Sequence, residues 1–137
     1  MDAKRFEEIA AEEWAHIPER FQGKMDNVAL LIEDEPSEQV RIEEGLDEHH
    51  TLLGLYHGHP LTSRGDLYGV GGTLPDTITL YRIPLLDEAL HEFGSESEEF
   101  VRAVIRETIW HEVGHYFGLD DEEIHGREDE GSNRFDT

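Results

Sequence analysis

His111, Glu112 and His115 place two imidazoles and a carboxylate in the spacing H-E-x-x-H, a pattern suited to holding a metal ion and activating the water on it. Residues four apart lie on one face of a helix, so both imidazoles can aim a nitrogen at one ion roughly 2.0–2.1 Å away. Glu112 falls one position on, at the edge of that face, where its carboxylate reaches a metal-bound water without filling a coordination position. The spacing therefore predicts His111 and His115 as ligands of Zn2+ and Glu112 as the general base of a hydrolase. With 9 His and 22 Glu in 137 residues, a shuffled chain would carry the bare pattern about one time in ten, so its context decides its weight.

That context is helical. Phe100, Val101, Val104, Ile105, Thr108 and Ile109 repeat apolar or small residues at i, i+1, i+4, i+5, i+8 and i+9, a stripe that runs straight into the histidines. Gly118 follows His115 by three residues, where a residue able to take positive φ can end the helix and reverse the chain. Such a turn brings Asp121 or Asp120 back toward the metal, and a catalytic zinc takes three protein ligands and one water. Asp121 is the preferred third ligand. His125, four residues further, is a candidate to orient that carboxylate, to donate to an oxyanion or to replace it on the metal.

The motif H-E-x-x-H-x-x-G-x-x-D is that of the Asp-zincins. In addition, residues 51–84, TLLGLYHGHPLTSRGDLYGVGGTLPDTITLYRIP, resemble the body of the small bacterial zincin-like metallopeptidases, or minimal zincins. The resemblance covers most of residues 1–125 and implies His111, His115 and Asp121 as metal ligands, Glu112 as catalytic base, and a peptide or protein as substrate.

Composition narrows the alternatives. The absence of cysteine removes disulfides, thiolate metal sites and cysteine nucleophiles together, and suits a reducing cytoplasm. Eleven basic residues against 33 acidic ones give a formal charge of −22, which repels nucleic-acid phosphates and anionic membranes. The opening stretch MDAKRFEEIAAEEWAHIP has acids throughout and no apolar run of seven, so it reads as neither a signal peptide nor a membrane helix. These features point to a cytoplasmic protein with no nucleic-acid or membrane partner; oligomeric state is not legible.

The remaining elements follow from periodicity. Phe6, Ile9, Ala10, Trp14 and Ile17 share one face of a helix over residues 2–17 that should cover a sheet. Val28–Ile32 reads as a buried strand, Val40–Glu43 and Leu52–Tyr56 as further strands, and residues 58–75 as a long loop. Thr77–Ile83 alternates in side-chain type and ends at Pro84, which predicts an edge strand, the element that aligns substrate in zincins. Leu85–Phe93 suits a short helix, and Ser95 or Ser97 can cap the long helix 96–117. Gly126–Thr137 is polar enough to be a flexible tail. Among other histidines, the i, i+2 pair His57 and His59 can face one side of a strand, whereas the adjacent His49 and His50 read as solvated surface. Tyr68, Tyr81 and Tyr116 are possible donors to a tetrahedral intermediate. The Gly69–Gly72 stretch lacks the Lys-Ser/Thr of a phosphate loop.

The expectation is one α+β domain over residues 1–125: a minimal zincin-like fold in which a small mixed sheet packs against an N-terminal helix and a long active-site helix. Its predicted chemistry is hydrolysis of peptide bonds by metal-activated water. A chain this short has no second lobe to wall a cleft, so the competing expectation is a zincin-fold module that binds metal or protein and cleaves little or nothing.

Overall fold

A computed structural model describes residues 1–25, 27–47, 50–58 and 76–117. Their order is α1 (Ala3–Ala15), α2 (Glu19–Gln22), β1 (Val28–Glu33), α3 (Glu38–Glu43), β2 (Gly54–His57), β3 (Asp76–Tyr81), α4 (Arg82–Phe93) and α5 (Glu98–Tyr116). The strands form a mixed sheet in the order β1-β3-β2, with β3 parallel to β1 and antiparallel to β2. Helices and a small mixed sheet around one core make this an α+β fold. No helix among the described residues is long and apolar enough to cross a membrane.

The apolar stripe read from the sequence becomes the inner face of α5. Val101, Val104, Ile105, Thr108, Ile109, Glu112, Val113 and Tyr116 are buried, and they lie over Ile78 and Leu80 of β3, both fully buried. α4 packs beside α5 and adds Leu85, Leu86 and Ala89 to the same core. Its C-terminus closes on Gly94 at φ 74°, a left-handed residue that lets the chain turn directly into α5. Ser97 stands at the N-cap of α5 without a side-chain bond to the helix, and Glu98 and Glu99 occupy the first turn, where carboxylates meet the positive end of the helix dipole.

Two expectations are corrected. Thr77–Ile83 is not an edge strand: β3 is the middle strand of the described sheet, and Asp76, Ile78, Thr79, Leu80 and Tyr81 are all buried. Its threonines imitate a solvent face, and Pro84 ends no strand, because it falls in the first turn of α4, where a helix needs no N–H. Val40–Glu43 is helical, since Ser37 accepts a hydrogen bond from the Val40 N–H and so starts α3. α1 packs on α5 and joins, through Phe6, Ile9 and Ala10, the core that also holds Ile78 and Leu80 of the sheet.

The contact between α1 and α5 also contains a buried charge. Glu13, only 1% exposed, lies 3.5 Å from Arg102 Nη1 and 3.2 Å from Arg106 Nε. Arg102 continues to Glu12 and Glu98, and Arg5 joins Glu98 from α1. Hydrogen bonds from Arg102 and Arg5 hold the Glu98 carboxyl below its ordinary range. A buried carboxylate stripped of its cations costs several kcal/mol, but both arginines here keep access to water. Replacing both arginines, Arg102→Ala with Arg106→Ala, should therefore destabilise the fold by about 2–3 kcal/mol, read as a lower urea midpoint at an unchanged m-value. Adding Glu13→Ala to that protein should recover part of the loss, because the stranded charge goes with it.

Candidate metal centre

The last two turns of α5 carry the motif. His111 and His115 lie one turn apart with ring centroids 5.0 Å from each other, and both are half-buried. Glu112 is turned from them toward the sheet and is 8% exposed. Ligand atoms of all three residues fall within 4.8 Å of one another, and among the described residues this is the group of three or more His, Asp or Glu side chains able to hold a metal ion. Two nitrogens on a tetrahedral zinc stand about 3.4 Å apart, given bonds of roughly 2.05 Å, so the imidazoles fit that ion with small rotamer adjustments. Asp120, Asp121 and His125, the candidates for third ligand, lie outside the described residues, as do Gly118, His49, His59, Tyr68 and the glycines of 69–72.

Glu112 is held by the sheet. The Tyr56 N–H of β2 donates to Glu112 Oε1 at 2.8 Å. Register explains why that amide is aimed at the helix: Leu55 opposes Thr79, His57 opposes Thr77, and the Tyr81 N–H donates to the Leu53 carbonyl at 3.0 Å, so the residues of β2 bonded to β3 are the odd-numbered ones. The amide of Tyr56 consequently points to the outer edge of the strand, where α5 brings the Glu112 carboxylate. Gly54 makes that approach possible. A Cβ there would stand 2.7 Å from Thr108 Cγ2, 3.2 Å from the Thr79 carbonyl oxygen and 3.5 Å from Glu112 Cγ.

Tyr56 has two further anchors. Its phenol O–H donates to Asp76 Oδ2 at 2.7 Å, and its ring meets the Tyr116 ring edge-on at 6.0 Å. Neither Tyr56 nor Asp76 emerges from motif reading, since a hydrogen bond to a main-chain amide leaves no residue-type signature. The detectable signal is the pair of glycines two residues to either side of Tyr56, Gly54 at the start of β2 and Gly58 just past its end. The candidate oxyanion donors are accounted for differently: the Tyr116 hydroxyl donates to the Lys24 carbonyl at 2.9 Å, and Tyr81 is 1% exposed. Burial first, then the charges of Glu33, Glu44 and Glu112, push the Tyr81 phenol up to about 12. His57 is exposed at the end of β2, and His50 Nδ1 lies 2.6 Å from Asp47 Oδ1 on the surface.

Comparison with known proteins adds three findings. Residues 25–131 match a family model described as zincin-like metallopeptidase. A conserved hypothetical protein from Thermo thermophilus is similar in structure, with a TM-score of 0.51 and 25% identity over 92% of this chain and 99% of that one. No curated protein matches the chain.

Two outcomes follow from the packing around Glu112. Gly54→Ala should push β2 from α5 and destabilise the protein by about 1–3 kcal/mol, and adding Thr108→Ser, which removes the colliding methyl, should recover much of the loss in the same urea titration. The Tyr81 phenol, whose folded value lies above its ordinary value of 10.0, leaves stability untouched below about pH 10 and lowers it as pH rises toward 12, because the unfolded chain ionises first. Tyr81→Phe should flatten that alkaline loss, measured as urea midpoints between about pH 9.5 and 11.5.

Proposed function

The chain belongs to the zincin-like metallopeptidase family, and we propose that it hydrolyses peptide bonds at a zinc ion held by His111, His115 and Asp121, with Glu112 as general base. The observation that carries this reading is the division of labour within the motif. The two imidazoles share one side of α5, while the Glu112 carboxylate, close to both, is tied through Oε1 to the Tyr56 N–H. A zinc ion held by His111, His115 and Asp121 would supply a Lewis acid able to acidify a water and polarise a carbonyl. The protein's own part is proton handling and alignment. Glu112 accepts the water's proton and passes it to the departing amine, and the Tyr56 amide keeps the carboxylate from rotating away. The substrate-aligning role that the sequence suggested for β3 is not open to that strand, whose two edges pair with β1 and β2. A chain of net charge −22 favours peptides with Lys or Arg near the cleaved bond, and added salt weakens that preference.

Asp121 rests on the motif alone. Asp121→Ala should weaken zinc binding by roughly 100-fold or more, beyond what loss of a merely supporting group costs, while Asp120→Ala and His125→Ala stay within roughly 10-fold. Competition with a chromophoric chelator measures all three, and the largest loss at Asp120 or His125 reassigns the ligand.

Glu112→Gln separates enzyme from binding module. The variant should keep zinc stoichiometry, read by atomic emission, and lose roughly 100-fold or more of the parent's cleavage of a mixed peptide library. A parent that binds zinc and cleaves nothing is the metal-binding module instead. Equal cleavage by parent and variant removes Glu112 from the mechanism.

A further inference from the structure

We infer that Asp76 and Tyr56 are a positioning pair that sets the orientation of Glu112 through the main chain of β2. The inference rests on Glu112 being the base, and it extends the site to two residues of the sheet that the motif does not contain.

Asp76 is a firm anchor. It opens the middle strand β3, is 2% exposed, and donates its own N–H to the Asn27 carbonyl at 2.9 Å. A carboxylate so buried is tolerated only with hydrogen-bond donors around it, and the Tyr56 phenol supplies one at 2.7 Å. The chain leaving β2 closes over the same carboxylate. Gly58 has φ +151°, and a Cβ at that position would collide with Asp76 Cβ, Cγ and Oδ1.

Tyr56 transmits this anchoring to the site. β2 has four residues and lies at the margin of the described sheet, paired to β3 on one side. Ladder bonds limit its motion toward β3 but do not by themselves fix its twist about its own axis. The phenol grip on Asp76 and the edge contact with Tyr116 remove that freedom at Tyr56, whose amide holds Glu112 Oε1. A general base needs placement within about 0.5 Å, with its own rotamer locked by supporting bonds. The grip also separates two roles open to the carboxylate. One of its oxygens lies within 4.8 Å of a nitrogen on each imidazole, near enough to swing toward the ligand position, and the Tyr56 N–H holds Oε1 toward β2.

The test is a double-mutant cycle read in the metal-free protein. The amide proton shift of residue 56 is measured in the parent, in Glu112→Gln, in Tyr56→Phe and in the double variant, so that direct effects of the ring change cancel. The shift change caused by Glu112→Gln should shrink by roughly half or more when Tyr56→Phe is also present. In the zinc-loaded protein, Tyr56→Phe should lower kcat roughly 10-fold while KM and zinc affinity stay within roughly 3-fold, as expected when alignment and not binding is lost. Asp76→Asn, which keeps an acceptor oxygen but is uncharged, should move the amide shift in the same direction by less, and it decides the question if Tyr56→Phe does not fold. An undiminished shift change, or loss of fold in both variants, overturns positioning in favour of a merely structural pair. A parent that cleaves no peptide defeats the proposed function, and the amide cycle still decides whether Asp76 governs Glu112.

Discussion

The hydrogen bond from the Tyr56 amide to the Glu112 carboxylate is the constraint around which the rest of the described structure is arranged. It joins a strand to a helix 56 positions away, and it requires three conditions together. β2 must run antiparallel to β3 in a register that turns the Tyr56 N–H outward, α5 must lie low over the strand, and nothing larger than hydrogen can occupy position 54. A one-residue slip of β2 would turn that amide inward to β3 and leave Glu112 buried without it. Losing that hydrogen bond at a buried carboxylate therefore acts against a one-residue slip.

The middle position of β3 follows from the same arrangement. A strand packed against α4 and α5, with β1 on one edge and β2 on the other, has neither edge free, and Ile78, Leu80 and Tyr81 are buried. The burial extends to polar residues with a role. Asp76 takes the Tyr56 phenol, and the Thr79 carbonyl sits beneath Gly54. The site is thus built on regular elements of the sheet and helix, which hold side chains more closely than loops do.

Charge is handled in two ways. Most acidic residues among those described are surface groups of a strongly anionic chain, whereas Glu13, Asp76 and Glu112 are buried and each is given donors. Arg102 and Arg106 serve Glu13, a phenol serves Asp76, and a main-chain amide serves Glu112. The first arrangement sets cations against the buried charge on the side of α5 that faces α1. The phenol and the amide are neutral donors, so these two hydrogen bonds add no positive charge beside His111 and His115.

Much was legible in the sequence by itself. The 3.6-residue stripe from Phe100 to Ile109 and the H-E-x-x-H spacing determined that two imidazoles and a carboxylate would share the end of one long helix, because helical periodicity is a local property. The runs at Val28–Ile32 and Leu52–Tyr56 marked two strands to within a few residues for the same reason. What only the tertiary structure decided was which strand stands in the middle, which strand meets the helix, and what holds Glu112. Thr77 and Thr79 have the pattern of a half-exposed edge, and Pro84 that of a strand end, until α4, α5 and both neighbouring strands close around them. Val40–Glu43 has branched residues that suit a strand, but Ser37 caps them into a helix. The pairing of Tyr56 with Asp76 crosses 20 residues and depends on register, and a donor that is a main-chain N–H is the same at every residue but proline. Residue types therefore pointed to the proposed metal ligands and the proposed base, whereas the orientation of Glu112 arises only when a strand, a helix and a glycine contact meet in space.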